Sequence, residues 1–589
     1  MTNGLLNSFP DEIIQCILAC ATPISAVKLG QASKKFWSIT NTSLLWRFYC
    51  RQYFEYWDDR HCILEKFALP VSLVDWKELY KLRHLIDVAV TELLESILAC
   101  QTGRIEKFHK IISFGYDAKD TLLRHAEAGF EYQDHLARRY YSNAALGCLH
   151  RSIAISEWSR VRNGEDIPLE RALGAFDLFV LEAGTGDLED ISQNLENIAT
   201  RIEADFRTFR DLSPREKAVS IAVYLQDNNL TGIDPEREYY TIEHNFLGIA
   251  LRDNRHNSLP LISAVIYCYI AKKLGLNAHP CGFPFHVHVI VRPEAGYDLD
   301  GKRLKDAEQG QPMFMDPFRS VQETPMSDLE SQLDFLGPLA LSHSSFLRES
   351  LTGEIILRCG KNILNSVTQT SLFRCTSLDL ANVEYAALWA LMLFADYARI
   401  ERHPGQELRL HTPLRHHLPS LMEHFAANFP FDVYLVEEYL APIFHGLPEY
   451  DQLKEGTRVM KAGDEIPKQI RSTSDHTNIK YRVGQVFRHR RYNYVAVIIG
   501  WDPECGAREE WMQQMGIDRL RAGRHQSFYH VCVEDKSVRY VAEENIEPVV
   551  LDISQMPQQF VESLGKYFKR WDPGMHRFVS NIQDEYPDD

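Results

Sequence analysis

Apolar residues recur at three- and four-residue spacing through much of the first 230 positions, a period that predicts helices. In "FPDEIIQCILACATPISAVKLGQASKKFWSITNTSLLWRFYCRQYF", Pro10 opens a short helix, and Asp11 and Glu12 suit its positive end. Ile13, Ile14, Ile17 and Leu18 follow on one side, and Val27, Leu29, Phe36, Trp37, Leu44, Leu45 and Trp46 add further apolar positions. So short a unit cannot bury this much apolar surface by itself, and the excess implies a partner. The segments "DVAVTELLESILAC" and "AGFEYQDHLARRYYSNAALGCLHRSIAISEW" carry the helical period onward. Ser213 is expected to cap a helix that begins at Pro214.

The pattern changes near residue 257. Residues 259–274 read as a helix stopped by Gly275. "FHVHVIV" alternates as a strand, "PMFMDPF" follows as a second short strand, and residues 327–450 return to helix. Residues 453–480 are polar with few large apolar positions and read as a linker. From 481 to 548 strand signals dominate, which predicts a small β domain, and the tail ending in "QDEYPDD" is expected to fray.

Composition narrows the field. A length of 589 residues fits three or four folding units. The net charge of −17 argues against bulk attraction to nucleic acid or to an anionic membrane. Twelve scattered cysteines without a Cys-x-x-Cys pair read as reduced thiols. No basic n-region precedes an apolar run at the start, and the apolar segments 259–271 and 385–395 are too short to span a bilayer. The expected location is the cytoplasm, the nucleus, or both.

Three segments resemble known families. The first, with its early Pro, Ile-Ile helix and Leu-Trp close, resembles the F-box. That resemblance implies docking on a Skp-type adaptor through Phe9, Pro10, Ile13, Ile14, Ile17, Leu18, Leu44 and Trp46. The second, "YYTIEHNFLGIALRDNRHNSLPLISAVIYCYIAKKLGLNAHPCGFPFHVHVIV" followed by "MFMDPF", resembles the SirB-type transglutaminase-like family. In active members a Cys at the start of the buried helix is the nucleophile, a His on the next strand activates it, and an Asp orients the His. His286 and Asp316 match those two partners, but the helix start, Asn257 to Ser263, holds no Cys. Cys268 lies too deep in the helix and Cys281 beyond it, while Ser263 gains little from a helix dipole. The resemblance therefore implies a degenerate enzyme fold kept as a binding surface. His286 and His288, with His279 and Asp316, form a permissive ligand set, yet no further metal motif surrounds them; a hydrogen-bonded role is expected, with no metal and no cofactor.

The third segment, "VGQVFRHRRY", "GWD", "FYHV" and "YVAEENIEP" in that order, resembles the YccV/HspQ family, also called hemimethylated-DNA-binding domains, and implies a small antiparallel β-barrel. Residues 480–548 hold 11 Lys or Arg against 10 Asp or Glu, a weak footing for DNA. Arg488, His489, Arg490, Arg491, Tyr492 and Trp501 are its candidate ligand surface.

The expected architecture is a multidomain α+β chain. It has an F-box at 1–58, a helical region at 59–169 and a transglutaminase-like (papain-like) α+β domain at 170–325. A helical extension at 326–452 and a linker at 453–480 follow, then a β-barrel at 481–550 and a tail at 551–589. The combination resembles an F-box-only class and implies a substrate-recruiting subunit of a Skp–cullin–F-box ubiquitin ligase that performs no chemistry itself. The alternatives are an active hydrolase or transferase using His286 and Asp316, and a DNA-binding regulator acting through the barrel.

Overall fold

Pro10 caps the first helix in the computed structural model, which describes residues 9–181, 186–206, 208–234, 239–284, 286–305, 310–335, 346–370, 376–395, 412–472 and 478–588. Phe285 of the "FPFHV" motif and Asp589 of the tail lie outside the described residues. The chain divides into two units, Met1–Leu149 with Arg458–Asp589, and His150–Thr457.

The first unit begins with four short helices, α1 (Asp11–Ala19), α2 (Pro23–Gly30), α3 (Lys34–Thr40) and α4 (Ser43–Tyr53). Thr22 and Ser33 cap α2 and α3 through their hydroxyls. Their shared core joins Ile14, Leu18, Phe36, Trp46 and Tyr49 to Trp76, Leu79 and Tyr80 of the long helix Trp76–Ala99. That long helix supplies the apolar cover such a small unit lacks by itself. Nearby, buried Arg83 pairs with Asp117 and Asp120 at 3.2 and 2.8 Å and lies 4.5 Å over the ring of Phe54.

In the second unit, β1 (Asn277–Cys281), β2 (His288–Arg292), β3 (Met313–Met315) and β4 (Glu323–Thr324) pair antiparallel in sequence order. The helix Pro260–Lys273 packs on β1 and β2 and against the helices Leu188–Asp205 and Pro214–Asp227. It is apolar all round and buried on nearly every side, which explains its uninterrupted apolar sequence. Ser213 caps Pro214–Asp227 as expected: its hydroxyl accepts from Glu216 N, and the Glu216 carboxylate accepts from Ser213 N at 2.8 Å. Buried Arg151 grips Asp432 with two hydrogen bonds of 2.7 and 2.9 Å.

The C-terminal part of the first unit departs from expectation in three ways. Its five strands, β5 (Val486–His489), β6 (Val495–Asp502), β7 (Phe528–Val533), β8 (Val538–Ala542) and β9 (Ile546–Pro548), form an antiparallel sheet in the order β8-β7-β6-β5-β9. No pairing closes β8 onto β9 among the described residues, so the sheet is not a closed barrel. Second, the segment read as a linker is helical through Glu465, in Pro448–Glu465. The end of that helix is held by the neighbouring helix Arg104–Ile112: Asp464 accepts from Ile105 N at 2.8 Å and from Gly103 N at 2.9 Å. Third, the tail is an integral part of the core. It forms the helix Gln558–Ser563 and the hairpin β10 (Phe568–Asp572) and β11 (Arg577–Ser580). Phe560, Phe568, Phe578 and Tyr586 enter the core of the sheet. Gly484, at φ +88°, admits this packing, since a Cβ there would meet the Phe578 carbonyl at 2.0 Å.

Every described cysteine is a free thiol. Among the described residues no helix is long and apolar enough to cross a membrane.

Candidate functional site

Three regions hold the candidate residues. In the helical N-terminal unit, α1 turns Ile14 and Leu18 inward while Phe9, Ile13 and Ile17, four residues apart, stay exposed with Pro10. Leu44 at the start of α4 is 61% exposed. Trp46 is not on this face: it is 2% exposed, and its indole donates to the Thr40 carbonyl at 2.7 Å. Ile14, Leu18 and Trp46 are thus core residues, a correction to their expected place on the docking surface. The sequence reading of that surface omitted Trp37, which is 63% exposed, and Ile24, Val27 and Phe48, also exposed. The signal was the position of Trp37 directly after Phe36, whose side chain fills the core.

The transglutaminase-like region brings His286 and Asp316 together. His286 Nε2 stands 2.9 Å from Asp316 Oδ2, an ion-pair distance whose angle is off the line of a hydrogen bond. Asp316 Oδ1 accepts from Phe318 N and Arg319 N at 3.2 and 3.3 Å. Burial raises the Asp316 carboxyl, but the adjacent His286, together with His288 and Arg319, outweighs it and holds the group below its usual range. The rings of His286 and His288 lie 5.0 Å apart. Burial, and then His286, push His288 down to about 4. β2 begins only at His288, so His286 precedes the strand, its N–H donating to the Pro284 carbonyl. The strand is buried on both faces, and the alternation read from "FHVHVIV" does not mark a solvent side.

Among the described residues, none of the nucleophiles weighed from the sequence is placed to complete this pair. The helix begins Leu259, Pro260, Leu261, as the sequence indicates. The Ser263 hydroxyl is buried, 2.7 Å from the Ser258 hydroxyl, and accepts from Gly232 N at 3.2 Å. Cys281 is the cross-strand partner of His288, but burial pushes its thiol up to about 12, and it donates to the Phe346 carbonyl. Burial pushes Cys268 still higher. His279 is engaged with Asn277 at 2.8 Å. Among the described residues no group of three or more His, Cys, Asp or Glu is placed to hold a metal ion.

The third region is a groove of about 780 Å³ in the five-stranded domain. His489, Arg491 and Tyr492 line it; Arg488 and Arg490 are exposed but outside it. Buried His489 serves the turn, its Nδ1 accepting from Arg491 N and Tyr492 N at 3.2 Å each. Trp501 is wholly buried against Tyr586 and is not part of any ligand surface. Arg508, Trp511, Met515, Arg539 and Tyr540 line the groove and were missed. The helix Glu509–Met515, with Trp511 and Met515 one turn apart, was the legible signal.

These parts define a chain with two recognised modules. Residues 189–361 match the transglutaminase-like superfamily, and residues 479–575 match the YccV-like hemimethylated DNA-binding family. Over its full length the chain is similar to F-box only protein 21. It is 24% identical to the Pongo abelii protein over 626 residues, and to the Homo sapiens and Mus musculus proteins over 628. Each alignment covers 99% of this chain and 92% of the relative. No solved structure matches.

Proposed function

We propose that this chain is the substrate-recruiting subunit of a Skp–cullin–F-box ubiquitin ligase, located in the cytoplasm, the nucleus, or both. The observation that carries the reading is the exposed apolar face on α1–α4, in a chain similar end to end to F-box only protein 21. Phe9, Ile13, Ile17, Trp37 and Leu44 would give up water on docking to a Skp-type adaptor, each contributing about 1 kcal/mol or more. The downstream modules hold a protein substrate near the ubiquitin-loaded enzyme, so the gain is effective concentration. On this reading the chain itself performs no reaction, in keeping with a buried His–Asp pair beside which Ser263, Cys268 and Cys281 are all buried and none is an activated nucleophile.

The test is capture of purified adaptor by the full chain and by an Ile13→Glu/Ile17→Glu variant. Both positions are exposed, so neither substitution empties the core. Capture by the wild type and its loss in the variant is expected. A folded wild type that captures no adaptor overturns the reading. Trp46→Ala is unsuitable, because it empties the core and costs about 3–5 kcal/mol of stability.

A further inference from the structure

The groove of the five-stranded domain joins apolar side chains to exposed arginines. Its lining is largely apolar: Ile517 and Phe528 are buried at its floor, Trp511 and Leu520 are half-buried, and Met515 is exposed. Three arginines, Arg491, Arg508 and Arg539, stand among its lining residues, all exposed, and no Asp or Glu lines it, although the chain as a whole carries −17. The Arg491 guanidinium lies over the ring of Tyr492 at 5.4 Å and that of Arg539 over Tyr494 at 4.5 Å. The two tyrosine rings are parallel within 6°. This stacking limits the freedom the arginines would lose on binding. Arg539 is also paired with Asp535 at 2.6 Å, whereas Arg508 has no ion pair among the described residues.

We infer that this groove binds an acidic peptide segment carrying a bulky apolar side chain, and that it is the contact through which substrate is recruited. The second half of that statement rests on the ligase reading. The apolar floor favours a side chain that leaves water, and the arginine rim favours carboxylates a few residues to either side. A peptide supplies both within one short stretch. A nucleic acid fits less well: tracking a phosphate backbone takes roughly six contacts, and the rim offers three arginines, one already paired.

The test measures anisotropy of a short fluorescein-labelled peptide of mixed Glu and Asp around one Leu-Phe pair, titrated with the full chain. The comparison probes replace Leu-Phe by Ser-Ser, replace the acids by Lys, or substitute a labelled oligothymidine. Wild type is expected to bind the first peptide, with each altered peptide weaker by about tenfold or more. Arg491→Glu/Arg508→Glu and Met515→Glu are each expected to lose about tenfold, while Arg488→Glu, outside the groove, keeps wild-type binding. Absence of binding, equal binding by the double variant, or tighter binding of the oligothymidine overturns the inference. Adaptor capture is run on the same samples. Capture without peptide binding discards the groove and leaves the ligase reading standing; peptide binding without capture does the reverse.

Discussion

The polar cluster of the transglutaminase-like region and the arginine rim of the C-terminal groove respond to opposite pressures. His286, His288 and Asp316 are all under 10% exposed, and their contacts lie within the fold. Arg491, Arg508 and Arg539 are exposed, and what holds them, where anything does, is an aromatic face, one exposed carboxylate or, for Arg539, the Ser537 hydroxyl at 3.1 Å. The first cluster is tied to the fold by its own contacts, while charges held on one side over an apolar floor are available to a partner. Changing the first set should therefore cost stability and leave binding alone, and changing the second should do the converse.

The sharpest break of this contrast is Asp316→Ala. The substitution removes the partner of His286 and leaves two backbone N–H groups, of Phe318 and Arg319, without their acceptor. The expected cost is about 3 kcal/mol of local stability. Hydrogen exchange of the β2 and β3 amides reads it as roughly a hundredfold loss of protection. Adaptor capture should stay at the wild-type level. If protection is unchanged and a reactivity or binding function is lost instead, the cluster is a working site.

A smaller effect comes with acid. The folded chain holds His288 at about 4, below its ordinary 6.5, so between these values the unfolded chain binds more protons. Stability contributed by His288 is full above about 6.5 and declines as pH falls toward 4. The shift corresponds to at most about 3–4 kcal/mol. Asp316, held low, adds loss only below its ordinary range near 3.8. His288→Gln should flatten the decline of unfolding stability between pH 6.5 and 4 relative to wild type. An unchanged slope would show that other buried histidines, such as His125 and His489, govern acid lability.

Much of the fold was legible because local signals were strong. The Ser213 cap, the Pro260 start and the Gly275 stop each rest on a residue type with one dominant physical use. Legibility failed where long-range packing decides. Residues 453–465 look like a polar linker because only Leu453 and Thr457 of that stretch are buried, yet Asp464 is tied to Gly103 and Ile105, over 350 positions away. The tail holds no period, but Tyr586 packs on Trp501 and accepts from its backbone N–H at 3.3 Å, where Gly500 leaves room for the ring. Trp37 and Trp46 were legible as apolar, and their sides were not, since α3 spans only seven residues and α4 carries apolar residues on both its exposed side, at Leu44 and Phe48, and its buried side, at Leu45 and Tyr49. In the candidate site, the His–Asp pair followed from the family pattern, whereas Arg508 and Arg539 come from elements 31 residues apart that only the fold brings together.

The smallest effect on stability, and the most telling, is expected from salt. Arg508 stands exposed with no ion pair among the described residues, so Arg508→Ala should leave the unfolding curve of the full chain where the wild type's lies. The exposed side chains Phe9, Ile13, Ile17, Trp37 and Leu44 of the N-terminal helices are apolar, and the proposed docking through them should hold or strengthen as salt rises. Peptide binding at the groove depends on exposed arginines, and it should weaken steadily once the screening length falls below about 10 Å. Measuring both on one preparation across a salt series separates the two surfaces without a mutation. Parallel curves would mean that the arginine rim contributes no attraction, and the groove would then be an apolar cleft like the exposed face of α1–α4.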